Sequence, residues 1–315
     1  MSPYKNCVLC PRRCGVDREA GLRGICGESA ELRMAFAGIH RGEEPPITGT
    51  GGSGTVFVSG CNLGCIFCQN YQISQAGMGR PVSPDEFAGI CLALQDKGAG
   101  NINIVTGSHA APALARGIEA ARKRGLVIPI LWNSSGYDGN ETLDLLKDYV
   151  DVYLPDLKTL DPGIAANYFN APDYPEYAAA AILKMMEYRE LRFGPEETMV
   201  SGLMVRHLII PGYLEATRQV LAWFSKNCRG RALLSLMTQY TPVQNPNAAR
   251  GTQIPGRYVS EEEYGAVLSM LDEYGIDDGY CQELVTGADW LPDFTGNNPF
   301  SSDLSIPVWH WRNKI

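Results

Sequence analysis

The chain has 315 residues, 45% of them hydrophobic and 20% charged, so it can bury a sizeable core and is too apolar for a disordered protein. Thirty-five acidic against 27 basic residues give a net charge of −8, which argues against a nucleic-acid partner. No apolar run reaches the about 18 residues of a membrane span, and the first residues lack the apolar stretch of a signal peptide. We therefore expect a cytoplasmic protein without a membrane partner.

Short β-rich runs alternate with helical stretches from about residue 55 onward. Six runs are mostly continuous and apolar, which is typical of strands buried on both faces of a parallel sheet; they span residues 55–59, 101–106, 126–132, 150–154, 203–210 and 232–237. Helix starts are marked by Ser83 and Ser260, each followed three residues later by a glutamate. The pattern predicts an α/β fold, a partial (β/α)6 barrel with an N-terminal cysteine-rich lobe; a doubly wound sheet is the alternative.

Composition suggests three parts of the chain. Residues 1–50, rich in Gly, Arg and Cys, are predicted to form a separate cysteine-rich metal-binding lobe. Residues 51–285 would form the barrel. Residues 286–315 are rich in Pro, Asn and Ser, and we expect them to wrap around the barrel as a tail.

Seven of the ten cysteines lie in the first 68 residues, which favours metal binding over a disulfide framework in a chain without an export signal. Cys61, Cys65 and Cys68 follow the first predicted strand with the spacing C-x3-C-x2-C. Thiolates this close can converge on one iron–sulfur cluster or, alternatively, on a zinc ion completed by a distant residue. In a four-iron cluster, three cysteines would leave one iron open to a small molecule.

At these residues the chain resembles the radical S-adenosylmethionine (SAM) superfamily, whose hallmark is C-x3-C-x-aromatic-C, with Phe67 in the aromatic place. Residues 54–65, Asp156-Leu157-Lys158 and residues 207–212 are similar to the branch related to pyruvate formate-lyase-activating enzymes. The resemblance covers residues 50–285. It implies a [4Fe–4S] cluster at the three cysteines, with Phe67 beside it, and SAM as the second cofactor.

The same resemblance implies an activity and partners. The reduced cluster would cleave SAM to methionine and a 5′-deoxyadenosyl radical, which would abstract a hydrogen atom. Activation of a glycyl radical enzyme is the expected role, with that enzyme as protein substrate and with a low-potential electron donor as a further partner. Other radical modification of a peptide or small molecule, a non-catalytic iron–sulfur electron carrier and a zinc-organised binding module are the alternatives.

Polar residues stand at or after the ends of successive predicted strands, where functional groups of a β/α barrel gather. The candidates are Thr106, Gly107, Ser108, Asn133, Ser134, Asp156, Lys158 and His207. Asp156 and Lys158 would orient cofactor or substrate, or form a simple ion pair at the rim. His207 would meet the adenosyl part of SAM, or would be a core histidine with satisfied hydrogen bonds.

Two stretches depart from the patterns of the family that they resemble. Thr106, Gly107 and Ser108 stand where the superfamily often has Gly-Gly-Glu to bind the methionyl amine, so hydroxyl or carbonyl groups would make this contact. Asn133 stands where the activating enzymes commonly carry an acid, and Ser134 follows it. We assign these five residues to cofactor binding.

Cys7, Cys10, Cys14 and Cys26 supply four further thiolates within 20 residues of chain. Four ligands would close a tetrahedral site for structural zinc, and they would equally hold an auxiliary iron–sulfur cluster. A ferredoxin-like run of cysteines is absent from the sequence, which favours zinc.

Overall fold

A computed structural model describes residues 2–243, 254–288 and 290–313. The strands are β1 (Arg33–His40), β2 (Ser53–Val58), β3 (Arg80–Pro81), β4 (Ile102–Val105), β5 (Ile130–Ser134), β6 (Val152–Pro155), β7 (Arg192–Phe193), β8 (Met199–Leu208), β9 (Leu233–Met237), β10 (Gly279–Cys281) and β11 (Ser305–His310). The helices are α1 (Pro45–Thr48), α2 (Tyr71–Ser74), α3 (Pro84–Asp96), α4 (Ala111–Lys123), α5 (Asn140–Leu146), α6 (Pro162–Phe169), α7 (Tyr174–Tyr188), α8 (Leu214–Asn227) and α9 (Glu261–Tyr274), with 3-10 turns at Ser108–Ala110 and Pro195–Glu197.

Within the described ranges, the strands form one sheet in the order β10-β9-β8-β6-β5-β4-β2-β1-β11, with β3 on β1 and β7 on β8. The strands from β2 to β10 along this order pair in parallel, and the sheet does not close. Six of them correspond to the six predicted strands, which confirms the partial barrel. The carboxyl ends of these strands therefore meet at one edge, where the site is expected.

The predicted third strand, residues 126–132, is displaced in the structure, where β5 covers Ile130–Ser134. Pro129 precedes β5 and has no backbone N–H to give to a sheet, while Val127 is 79% exposed. Asn133 and Ser134 are thus the last residues of a strand and do not follow one.

The boundary predicted at residue 50 lies between two strands that pair with each other. Strand β1 pairs antiparallel with β2, and β11, from the expected C-terminal tail, pairs antiparallel with β1. The sheet therefore includes part of the segment expected to form the lobe, and the tail adds an edge strand. Aromatic contacts hold that tail, since the Phe57 ring lies 5.4 Å from both Phe294 and Phe300.

Helices cover the outer face of the sheet with apolar side chains. Helix α3 begins as predicted, with the Ser83 Oγ accepting from the Glu86 N–H at 3.1 Å. Helix α9 has the full capping box of Ser260 and Glu263 and ends at Gly275 with φ of 59°. Of the helices in the three described ranges, none is both long and apolar enough to cross a membrane.

Candidate active site

The loop that carries Cys61, Cys65 and Cys68 leaves the carboxyl end of β2 through Gly60. Gly60 has φ of +82°, and a Cβ there would lie 2.8 Å from the Cys26 carbonyl oxygen. Only glycine fits this turn without displacing the backbone of the N-terminal segment. The chain therefore turns sharply at Gly60, just after β2, and continues into the cysteine loop.

The three cysteines line one cavity of about 260 Å³ at that edge. Six further residues predicted for the site line the same cavity: Phe67, Thr106, Asn133, Ser134, Asp156 and Lys158. They come from the loops or ends of four different strands, so the parallel topology has brought together groups that lie up to 97 residues apart, from Cys61 to Lys158. This convergence is what a β/α barrel provides for a binding or catalytic site.

Asp156 and Lys158 form an ion pair at the end of β6. The Lys158 Nζ lies 2.6 Å from the Asp156 Oδ2, and both side chains are largely buried. Burial acts to lower the pKa of Lys158, but the adjacent Asp156 carboxylate, together with Cys65 and Tyr174, outweighs it and holds the pKa above its ordinary value. Lys158 is therefore a fixed positive charge in the cavity, close enough to Cys65 to interact with it electrostatically.

A buried tyrosine fixes the position of this pair. The Tyr174 hydroxyl accepts from the Lys158 backbone N–H at 2.9 Å and lies 2.9 Å from the carbonyl oxygens of Ser135 and Asp156. It therefore ties the ends of β5 and β6 together below the cavity. No sequence motif marks this residue, which lies at the start of α7.

Thr106 lies in the cavity wall with an unfavourable backbone conformation. Its φ is +61°, a left-handed conformation that β-branched residues rarely adopt. Its N–H donates to the Asn133 carbonyl at 2.8 Å, which holds the end of β4 against β5. Strain of this kind is concentrated at functional sites, which agrees with a role for Thr106 in the cavity.

Two predicted neighbours of Thr106 lie outside that cavity. A Cβ at Gly107 would meet Leu114 and Trp132 at 2.7 Å, so this glycine serves close packing. Ser108 is 1% exposed and starts the 3-10 turn before α4. Among the described residues, neither contributes to the cavity lining.

His207 has the alternative environment that the sequence left open, that of a core histidine. Its Nδ1 lies 2.7 Å from the Leu157 carbonyl oxygen and its Nε2 lies 3.0 Å from the Thr217 hydroxyl. Burial lowers the pKa of His207 to about 4, so the ring is neutral at physiological pH. Both nitrogens are occupied by the protein, and the side chain does not line the cavity.

The donor set fits an iron–sulfur cluster with an open iron. Among the described lining residues, the three loop cysteines are the only cysteines. Burial raises the pKa of Cys68 to about 11 and also raises that of Cys65, so both thiols keep their protons in the metal-free protein and would release them when iron binds. No three His, Cys, Asp or Glu side chains in the described ranges are arranged around a single ion, whereas a cluster binds its thiolates at separate iron corners.

The four N-terminal cysteines form a second group. Cys10 interacts electrostatically with Cys7, Cys14 and Cys26, and burial raises its pKa to about 12. However, the described residues contain no group already arranged to hold a metal ion, so the structure gives no support to a tetrahedral zinc site. A second metal remains a proposal.

Some residues of the cavity were not predicted. Glu43 and Arg206 line it, as do His40 and Trp290. Glu43 stands in the segment assigned to the lobe, and Arg206 lies inside an apolar strand, so neither belonged to a recognisable motif. Two features of the sequence could have pointed to them: the acidic pair Glu43-Glu44, and a single arginine, Arg206, within an apolar strand.

The fold and this site together define a class of iron–sulfur enzyme. The family model of the radical SAM superfamily matches residues 55–213. The chain is also 30% identical over 282 residues to the uncharacterized protein MJ0674 of Methanocaldococcus jannaschii, covering 87% of this chain and 76% of that protein. The chain therefore belongs to the radical SAM superfamily, and membership implies an enzyme with a [4Fe–4S] cluster and SAM.

Solved structures agree on the fold. Streptococcus suis SuiB bound to S-adenosylmethionine is 13% identical, with a TM-score of 0.50 over 70% of this chain. Methylornithine synthase is also 13% identical, with a TM-score of 0.50 over 76% of this chain and 75% of that chain. The match spans only 48% of the SuiB chain, so SuiB is larger than the region that the two share.

Proposed function

We propose that this protein is a radical SAM enzyme of the activating-enzyme type, which abstracts hydrogen from a glycine Cα of a partner protein. The observation that carries the proposal is the convergence of Cys61, Cys65 and Cys68 with the Asp156–Lys158 pair on one cavity. The Asp156-Leu157-Lys158 and 207–212 motifs support the activating-enzyme branch in particular. A low-potential electron donor is the second partner that this chemistry requires.

The chain's own residues would hold and orient the cofactors. Cys61, Cys65 and Cys68 would bind three irons of the cluster, and the half-buried cavity would limit the access of water. Lys158 and Asp156 offer fixed charges of both signs for a zwitterionic ligand. When bound, the reduced cluster supplies one electron, which cleaves SAM into methionine and the 5′-deoxyadenosyl radical that takes the hydrogen atom.

The test uses anaerobically reconstituted protein with a strong reductant and SAM. We expect 5′-deoxyadenosine to form, and we expect it to carry deuterium when a candidate glycyl radical enzyme labelled with α-deuterated glycine is added. Cleavage without deuterium transfer from any glycine would instead support modification of another peptide or small molecule. No cleavage, with an intact cluster, would support the electron-carrier alternative.

A further inference from the structure

A second cavity of about 600 Å³ adjoins the first one and is within the size range of ligand sites. The two cavities share lining residues: Gly42, Glu43, Arg206, Met237, Gln239 and Trp290. The second cavity extends between the β1–α1 segment and strands β9 and β10. A molecule in it would therefore reach the edge of the cavity that contains the three cysteines.

A buried network of charges forms the common wall. Arg206 on β8 donates through Nη2 to the Glu43 Oε2 at 2.5 Å and through Nε to the Glu44 Oε1 at 2.9 Å. The three side chains are only 8%, 13% and 10% exposed, in the order Arg206, Glu43 and Glu44. Because a buried ion network of this kind costs desolvation and adds little stability, its position in a cavity wall suggests a role in binding.

The network carries an excess of negative charge and of hydrogen-bond acceptors. Two carboxylates face one guanidinium, so one negative charge is uncompensated. Arg41 and Glu283, which line the same cavity from its exposed side, offset each other. An anionic ligand would therefore meet net repulsion at this wall.

A buried amide oxygen beside the network has no partner. Asn103, on β4, is fully buried and donates through Nδ2 to the Glu43 Oε1 at 3.0 Å. That bond assigns the amide orientation, and the Asn103 Oδ1 has no hydrogen-bond partner among the described residues. Asn103 is in the lining of neither cavity, so its contribution is to hold the Glu43 carboxylate in position from behind the wall.

We infer that Glu43 and Glu44 form a subsite for a protonated amine of the substrate, with Arg206 and Asn103 holding the carboxylates in place. An ammonium group supplies three donors and the positive charge that this wall lacks. The inference rests on the proposed function, since it assigns a substrate group to the same site. The amine would hold the substrate in the second cavity while the reacting carbon faces the first.

Binding measurements on the anaerobically reconstituted protein test the subsite. Saturation-transfer NMR would compare n-butylammonium with butan-1-ol and butyrate, which have the same length but lack the positive charge. We expect the ammonium ion to bind and the other two to bind at least about tenfold more weakly, as the loss of a charged hydrogen bond predicts. Equal binding of the three compounds would overturn the inference without any variant being needed.

Two variants locate the binding. Glu43→Gln removes one carboxylate charge and is expected to weaken butylammonium binding by about tenfold or more. Glu187→Gln, which removes the same charge from the exposed side of α7 outside both cavities, is the matched control and should leave that binding unchanged. Unchanged binding in Glu43→Gln, or equal losses in both variants, would overturn the assignment.

Two further ligands separate the sources of the amine. Free L-lysine and a blocked tripeptide with central lysine test a small-molecule and a peptide substrate, and failure of both to bind contradicts the subsite. SAM cleavage by the wild-type protein is measured separately. Cleavage without amine binding means that this inference alone fails, whereas absent cleavage counts against the proposed function whatever the amine result.

Discussion

The two groups of cysteines occupy different surroundings. Cys61, Cys65 and Cys68 line a cavity at the carboxyl edge of the sheet, next to the charged pair of β6. In the N-terminal group, Cys10 lines a separate cavity of about 320 Å³, and Cys7 lies 3.7 Å from the buried Arg18 guanidinium. The loop thiols therefore lie beside the charged pair of β6, whereas the N-terminal thiols lie outside that cavity.

The segment that carries the N-terminal group nevertheless contacts the cysteine loop directly. Arg12, which lies between Cys10 and Cys14, reaches across to two separate backbone segments. It donates to the carbonyl oxygens of Asn62 and Leu63 in the loop and of Phe169 and Asn170 at the end of α6. The N-terminal segment thus supports the loop that would hold the cluster.

The largest effect is expected from a cysteine of the loop. Cys65→Ala should remove the iron of the cluster, about four atoms per chain, and reduce SAM cleavage to background. Iron analysis and assay of 5′-deoxyadenosine measure the two losses. Cys91→Ala, which removes a fully buried thiol on α3, is the control and should retain both. Retained cleavage in Cys65→Ala would refute the cluster assignment.

The N-terminal group should respond in the opposite way. We propose zinc there, so Cys10→Ser should lose about one zinc per chain while the iron content stays close to that of the wild type. Metal analysis of both cysteine variants makes the comparison. About eight irons in the wild-type protein would replace zinc with an auxiliary cluster. A wild-type protein with about four irons and no zinc would mean free thiols.

Arg12→Ala tests whether the N-terminal segment stabilises the cysteine loop. Removing hydrogen bonds from a guanidinium to four carbonyls should lower the free energy of unfolding of the metal-free protein by about 3 kcal/mol, because partly buried carbonyls lose their donors. Hydrogen exchange should also speed up at the amides of residues 61–66. Denaturant unfolding and exchange measured by mass spectrometry check both effects.

Arg13 offers a matched control for this variant. It is adjacent in sequence, and its side chain is 55% exposed and pairs with Glu141 at 2.9 Å. Arg13→Ala should change stability by less than about 1 kcal/mol, as is usual for an exposed ion pair. Similar losses in both variants would show that the effect comes from losing a positive charge and not from losing the hydrogen bonds to the loop and to the end of α6.

The sequence was sufficient for the features that local pattern determines. Continuous apolar runs marked the six parallel strands, and the rule that functional groups gather at their carboxyl ends located Asn133, Asp156 and Lys158. Spacing alone identified the cysteine loop.

Long-range pairings left no such local signal. Arg206 and Glu43 are 163 residues apart, and Arg12 and Asn170 are 158 apart. These partners meet only when the strands and loops pack together, so no local sequence motif predicts them. His207 was ambiguous for the same reason, because Thr217 reaches it from a different element, α8.

The N-terminal segment and the barrel also bury ionisable groups in different protonation states. Arg18 is buried as a cation near the N-terminal thiols. His207 is buried as a neutral ring near the carboxyl edge of the barrel. The pKa of His207 is about 4 in the folded chain and 6.5 in the unfolded chain. Above pH 6.5 the ring is neutral in both states. Between pH 6.5 and 4 only the unfolded chain takes up the proton, so stability falls as the pH falls.

His207→Gln should remove this part of the pH dependence. From the two pKa values, the histidine accounts for about 2 kcal/mol of the stability lost between pH 7.5 and pH 5. Denaturant unfolding at both pH values should therefore show a loss smaller by that amount in the variant, even if the variant is less stable at both. His109, whose pKa burial also lowers to about 4, would still supply a similar slope. An unchanged loss would show that His207 takes up its proton in the folded barrel, and the neutral core role would then be wrong.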